Sequence, residues 1–350
     1  MDKEIVLTGL RSNNNFHIGN YLGAIQPIIN LQNKLSEKYQ INMFVPDLHS
    51  FTTPIDHGTL YKQTMDNLKV YVAAGLNLDN TDTYIYRQSF ISAHSELTWI
   101  LSNFTYFGEL RRMTQFKEKA GIGDLNDNLP SDTNVSAGLF IYPILMTADI
   151  LLYDANWVPV GEDQRQHLEL ARDIAIRLNN KFGNIFVVPN DWNAQLQFID
   201  RDKGARIRSL KNPEKKMSKS VDDPAGTIVL TDDPQEAANK VLSSTTDSIA
   251  SINLDWENQP GVSNLLQILG LLTNESSEAV FAQWKGKNNY GDLKKVVADK
   301  VFTFLSDFQT KLANVDENLV LAKLENDEKQ INEIADAKLL SVQKAVGLRE

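Results

Sequence analysis

The segment EIVLTGLRSNNNFHIGN, residues 4–20, decides the fold reading. Its opening run, Ile5 to Thr8, is short and apolar and reads as a buried strand. A polar loop follows from Arg11 to Asn15, and from Ile18 through Leu31 the apolar residues recur at helical spacing. A strand feeding a helix through a polar turn is the opening of a crossover unit. Two further β-type runs, Asn42 to Val45 and Thr83 to Tyr86, each end in polar residues. The pattern predicts an α/β fold whose catalytic part is a Rossmann-type parallel sheet, with ligands at the carboxyl ends of the strands.

Outward from that sheet, a helix is expected at Ala93 to Asn103, a buried helix at Ser136 to Tyr153, a short strand at Asn156 to Val160 and an amphipathic helix at Asp163 to Asn179. The Gly-rich, acidic stretch Gly121 to Asp132 lacks periodicity and reads as a mobile loop. After Pro224 strand-like runs nearly vanish. Helices are expected at Pro234 to Leu242, Val262 to Leu272, Glu275 to Trp284, Tyr290 to Ala313 and Leu319 to Val346. The chain therefore divides into a catalytic part, residues 1–228, with an inserted helical segment at about 108–180, and an all-helical part, residues 229–350.

The bulk composition excludes several classes of function. At 350 residues with 42% hydrophobic and 23% charged residues, the chain has the make-up of a packed globular protein of two units. A net charge of −10 argues against a protein that coats nucleic acid non-specifically, and no DNA partner is expected. Local basic patches remain at Arg111-Arg112, Lys117-Lys119 and Lys203 to Lys219. The first ten residues hold far fewer than the roughly 18 apolar residues of a membrane span, so neither export nor anchoring is expected. The chain has no cysteine, which removes disulfides, thiolate zinc sites and cysteine nucleophiles; a cytoplasmic protein without structural zinc is the expectation.

Two constellations carry chemistry. His17-Ile18-Gly19-Asn20 stands at a helix start, where unpaired N–H groups and the helix dipole favour an anion. Gly19 permits close approach of a nucleotide, His17 offers a donor, and Asn20 an amide that stays neutral at every pH. Alone, a histidine at a helix start is more often a solvated loop residue. Lys215-Lys216-Met217-Ser218-Lys219-Ser220 lies in a loop bounded by Pro213 and Pro224. Adenylyl transfer needs positive charge where pyrophosphate develops, which makes Lys216 and Lys219 catalytic candidates together with His17 and Asn20. Alone, a lysine-rich loop is usually solvated surface.

Found together and in this order, the HIGN segment and the KMSKS segment (residues 216–220) resemble the two ATP-binding signatures of the class I aminoacyl-tRNA synthetases. HIGN departs from the usual HIGH in its last residue. Between them, Tyr142 to Tyr153, Val158 to Gln164, Gly108-Glu109-Leu110, Arg112 to Lys117 and Val135 to Leu139 are similar to the tryptophan subfamily, as is Pro260 to Leu266 beyond the second signature. A tryptophan pocket needs an apolar slot and one acceptor for the indole N–H, which only donates. Asp149 shares a helix face with Met146 and Tyr142, and a carboxylate in so apolar a run needs a partner. The resemblance makes that partner the substrate's indole.

The resemblance further implies that Arg11, Ser12, Asn13, Gly19 and Asn20 hold ATP, that Gly161, Glu162 and Asp163 line its adenosine side, and that Ile207 touches the adenine. It gives the closure on the phosphates to Lys216, Met217, Ser218, Lys219 and Ser220, with Lys117 and Lys119 as auxiliary contacts. Gln164 would reach the substrate amino group, and His49 would belong to the amino-acid pocket. Where the family commonly has a Gly-Gln-Pro-Ser-Gly loop, this chain has Gly9-Leu10-Arg11-Ser12-Asn13-Asn14. The implied substrates are L-tryptophan, ATP with Mg2+ and tRNA(Trp), with the anticodon gripped by the helical part of a homodimer and no membrane involved. A tyrosine-specific synthetase and a synthetase-like nucleotide- or RNA-binding protein without catalysis are the rivals; a Rossmann dehydrogenase lacks its Gly-rich fingerprint here.

Overall fold

The computed structural model describes residues 3–12, 16–120, 136–198, 206–218 and 223–350, with residues 118–120 through their backbone only. The expected loop at Gly121 to Asp132 lies outside the described residues. Strand β1 (Ile5–Gly9) leads to the turn α1 (Ile18–Asn20), which continues through a π-helical turn, Tyr21–Ile25, into α2 (Gln26–Leu35). The single helix expected from Ile18 is thus one helical path with a widened turn. Pro27 explains the widening. Its nitrogen cannot donate to the carbonyl a turn earlier, and the Gln26 N–H just before it bonds back to Tyr21 instead.

Strand β2 (Gln40–Val45), helix α3 (Leu60–Ala73) and strand β3 (Thr83–Arg87) complete a parallel sheet in the order β1-β2-β3. Ile5 stands beside Gln40 and Ile41 beside Thr83. Alternate residues point to opposite faces. Val6, Met43 and Ile85 enter one apolar core, while Leu7, Phe44 and Tyr86 enter the other. Both faces are therefore covered, as a buried parallel sheet requires.

The second core is built by α4 (Ala93–Ser102), α5 (Phe107–Arg111), α6 (Thr114–Ala120), α7 (Ala137–Leu151) and α8 (Arg165–Phe182). Helix α9 (Trp192–Phe198) follows. The strand expected at Asn156 to Val160 is reduced to a single parallel bridge between Val6 and Trp157. Leu7 donates to Trp157 O at 2.8 Å and Trp157 donates to Ile5 O at 3.0 Å. Pairing stops there because the Val158 N–H is taken by Gln195 Oε1 at 2.9 Å and Pro159 has no N–H.

Residues beyond the sheet form α10 (Pro234–Leu242), α11 (Pro260–Thr273), α12 (Ser277–Trp284), α13 (Tyr290–Ala313) and α14 (Glu317–Ala345). The side chains of Asp233, Ser276, Asn289 and Asp316 cap four of these helices, each accepting from a first-turn N–H. No helix among the described residues is long and apolar enough to cross a membrane.

Helix α14 returns to the sheet and covers the outer edge of β3. Ile85 N–H donates to Asp327 Oδ2 at 2.7 Å and Arg87 N–H to Glu328 Oε1 at 3.1 Å. The Arg87 guanidinium adds two bonds to the same carboxylate, at 2.6 and 2.8 Å, and both side chains are buried. An unpaired strand edge is thereby closed by two carboxylates from a helix some 240 residues later in the chain. Removing one partner of a buried ion pair strands the other charge. Glu328→Ala is expected to destabilise the protein by about 3–5 kcal/mol in urea unfolding, with Arg87→Met/Glu328→Leu recovering most of the loss; a single variant within about 0.5 kcal/mol of the parent, the ordinary range for a surface change, contradicts this account.

Candidate active site

The carboxyl ends of β1 and β2 open onto a cleft of about 1740 Å³. On its β1 side the chain turns at His17, whose backbone is extended (φ −108°, ψ 166°) and which caps α1. Asn20 N–H donates to His17 Nδ1, and His17 N–H donates to Asn20 Oδ1, both at 3.2 Å. Gly19 and Asn20 line the cleft while the imidazole lies buried beneath them. Burial disfavours the imidazolium, and the nearby charges of Arg11 and Lys216 add to that effect, lowering the His17 pKa to about 4. The ring is neutral at pH 7, with Nδ1 as acceptor and Nε2 as the protonated nitrogen.

The second signature reaches the same place through backbone pairing. Arg208 and Lys216 form an antiparallel bridge, and Met217 N–H donates to Ile207 O at 3.0 Å. Residues 228–230 run antiparallel to the His17 turn: Ile18 N–H donates to Ile228 O at 2.9 Å and Leu230 N–H to Phe16 O at 3.0 Å. Thr227 Oγ1 links the two stretches by donating to Ser218 O at 3.4 Å. Lys216 thus lines the cleft opposite Gly19. Met217 and Ile207 are buried core residues that fix the hairpin. A Cβ on Gly19 would approach Ile207 Cβ to 3.2 Å and His17 Nδ1 to 3.0 Å, so this turn has little room for a side chain. Lys219, Ser220 and Asn13 lie outside the described residues, as does the Lys119 side chain.

Across the cleft, α7 presents Tyr142, Met146 and Asp149 from one face, as their spacing predicts. Asp149 is 1% exposed. Its Oδ2 lies 2.8 Å from His49 Nε2, and its Oδ1 accepts from Gln88 Nε2 at 2.7 Å. His94 Nδ1 stands a further 2.7 Å from Oδ1, close but off the line of a straight hydrogen bond. Burial alone would raise the Asp149 pKa; the bonds and charges of His49 and His94 outweigh it and hold the group at about 2. The carboxylate is ionised at any physiological pH.

Gly161, Glu162, Asp163 and Gln164 line the far wall. Gln164 Nε2 donates to Asp163 Oδ2 at 2.7 Å, and Gln115 Nε2 donates to the same oxygen at 3.3 Å. The Tyr142 hydroxyl donates to Gln115 Oε1 at 3.1 Å and lies 2.9 Å from His167 Nε2. Ser12 is turned away from this wall and buried, its hydroxyl 2.5 Å from that of Ser50. The Arg11 backbone is tied to α3 by Tyr71 and Asn67. Lys117 is half-buried on α6.

The sequence reading gives no role to Gln115 and Arg206, which line the cleft, or to Gln88 and His94, which pack against Asp149 behind it. Arg206 falls within a basic stretch that the sequence does flag. Gln88 and His94 carry a weaker signal, polar residues directly after a buried strand and at the start of an apolar helix, which ordinary capping also produces.

Residues 2–306 match the family described as tRNA synthetases class I (W and Y). The chain belongs to that family. Among its relatives, the tryptophan--tRNA ligase of Caldanaerobacter subterraneus subsp. tengcongensis is 44% identical over 343 residues, 98% of each chain. The solved tryptophanyl-tRNA synthetase of Mycoplasma pneumoniae superposes with a TM-score of 0.79 at 33% identity, covering 99% of this chain and 98% of that one. That of Campylobacter jejuni, complexed with ADP and tryptophan, gives 0.76 at 30% identity over 98% and 99%. In this class I synthetase the two signatures meet at one cleft, and the α/β fold with its helical addition is that of its relatives.

The lowered His17 pKa has a stability consequence of fixed sign. Between about 4 and the ordinary 6.5 the unfolded chain binds a proton that the folded one refuses, so stability falls as pH drops through that window. From pH 7 to pH 5 the parent is expected to lose roughly 2 kcal/mol more than His17→Gln in urea unfolding. Equal losses in the two proteins contradict the assignment.

Proposed function

We propose that this class I synthetase is a tryptophan--tRNA ligase that works through the residues assembled at the cleft. The observation that carries the reading is one ionised, buried carboxylate, Asp149, facing the same cleft as Gly19, Asn20 and Lys216. Its relatives of 44% and 41% identity over 98% of their length carry that activity in their names. Tryptophan sits against Tyr142, Met146 and His49 with its indole N–H on Asp149, and Gln164 receives its amino group. ATP, as its Mg2+ complex, lies between Gly19-Asn20 and Gly161 to Asp163.

The tryptophan carboxylate then attacks the α-phosphate, giving the adenylate and pyrophosphate, and the terminal ribose hydroxyl of tRNA(Trp) takes the acyl group, releasing AMP. The substrate brings its own nucleophile, so positioning and charge stabilisation supply the catalysis. Lys216 and Lys219 of the second signature, with Ser218 and Ser220, neutralise the pyrophosphate as it leaves. His17 donates from Nε2 to the phosphates, the proton its neutral tautomer retains. Arg11, Ser12, Asn13 and Ile207 belong to the ATP side by family resemblance; of these, Ser12 and Ile207 act by holding the backbone.

The helical part, residues 229–350, receives the anticodon, and the enzyme works as a cytoplasmic homodimer. Exposed Trp99, Tyr106 and Phe107 on and beside α4 and α5 offer the apolar surface that pairing of two copies requires. ATP–pyrophosphate exchange with each of the twenty amino acids tests the reading. Strong exchange is expected with tryptophan alone; no exchange with tryptophan, or strong exchange with tyrosine, refutes it. Lys216→Ala is expected to lower tryptophan-dependent exchange by about a hundredfold or more, and an undiminished rate removes Lys216 from the mechanism.

A further inference from the structure

The torsion that aims an aspartate carboxylate is broad and two-fold, so the side chain itself does not choose which oxygen faces a ligand. At Asp149 the choice is made by its neighbours. Oδ1 accepts from Gln88 and is packed from behind by His94 Nδ1 at 2.7 Å, both residues fully buried and neither part of the cleft wall. Oδ2 is held by His49, which does line the cleft. A carboxylate has about four acceptor positions, two on each oxygen. Gln88 fills one at Oδ1 and His49 one at Oδ2, while His94 Nδ1 crowds Oδ1 from 2.7 Å, which leaves Oδ2 the freer of the two oxygens.

His94 is itself fixed. Its Nε2 lies 2.8 Å from the hydroxyl of Tyr153. A carboxylate only accepts, so the Nδ1 that His94 turns toward Asp149 carries a proton, and the Tyr153 hydroxyl holds the other end of the ring. Gln88 is the residue after β3, whose edge is pinned by Asp327 and Glu328 of α14, so the amide is delivered from a rigid strand end.

We propose that Gln88 and His94 are positioning residues for amino-acid selection, clamping Oδ1 so that only Oδ2 is offered to a ring N–H donor. This rests on the reading of the cleft as a tryptophan site. The test compares kcat/KM in ATP–pyrophosphate exchange for tryptophan and for the isostere in which sulfur replaces the indole N–H. Gln88→Met keeps the side chain's length and removes its donor. It is expected to reduce kcat/KM for tryptophan roughly tenfold or more, as expected for loss of a hydrogen bond to a charged group, while that for the sulfur isostere and the KM for ATP stay within about twofold. Tyr153→Phe, which leaves His94 in place but frees its ring, is expected to act in the same direction and less strongly, and serves if Gln88→Met does not fold. Equal losses for both substrates in a folded variant, or no loss for either, overturn the proposal. Failure of the parent itself to exchange with tryptophan would instead refute the reading of the cleft, which the parent's own assay separates from the variants'.

Discussion

A carboxylate buried inside an apolar helix is stable only when donors surround it, and Asp149 gathers its donors from three separate elements. His49 comes from the turn after β2, Gln88 from the residue after β3, and His94 from the second residue of α4. The strand ends, the start of α4 and the middle of α7 are therefore held at fixed distance by one charge. Meeting that cost creates the pocket. The groups that satisfy the carboxylate from behind leave its other side open to the cleft, so the same contacts that stabilise the fold also orient the site.

The other wall depends on backbone rather than charge. The pairing of residues 228–230 with the His17 turn closes a loop of more than 200 residues and sets the hairpin of Ile207 to Met217 against Gly19. Met217, a residue of the lysine-rich signature, is buried core, which is why a loop rich in lysine is not simply solvated surface here. Its apolar member anchors, and Lys216 beside it reaches the cleft. The chain's overall charge of −10 makes such placement necessary: anionic substrates have to be met by a few cations whose positions are enforced by packing.

Much of this was readable from the residues because the signals were periodic or local. The three strands follow from short apolar runs, and the helices after Pro224 and the shared face of Tyr142, Met146 and Asp149 from a spacing of 3.6. What spacing does not encode is which distant groups meet. Gln88 and His94 lie 61 and 55 residues from Asp149 and became pocket residues only through the sheet register. The expected strand at Asn156 to Val160 failed for a related reason, since the competitor for the Val158 N–H, Gln195, is a tertiary partner. The widened turn before Pro27 belongs to the same class: the proline is visible in sequence, yet the chain could have kinked or ended there instead.

If the cleft holds tryptophan, selectivity divides between two physical devices. A hydrogen-bonded acceptor rejects phenylalanine strongly, because a ligand without a donor leaves the buried carboxylate position unpaired. Tyrosine brings a hydroxyl and is not excluded on that ground. Its donor sits at the end of a single ring, on the ring axis, whereas the indole N–H sits on the edge of a two-ring system. An acceptor whose direction is fixed separates the two donors, and one free to swing serves both. The rigidity of the Asp149 carboxylate is therefore a condition of selectivity, beyond its charge, and the wall formed by Tyr142 and Met146 supplies shape only to a ligand already aimed by that oxygen.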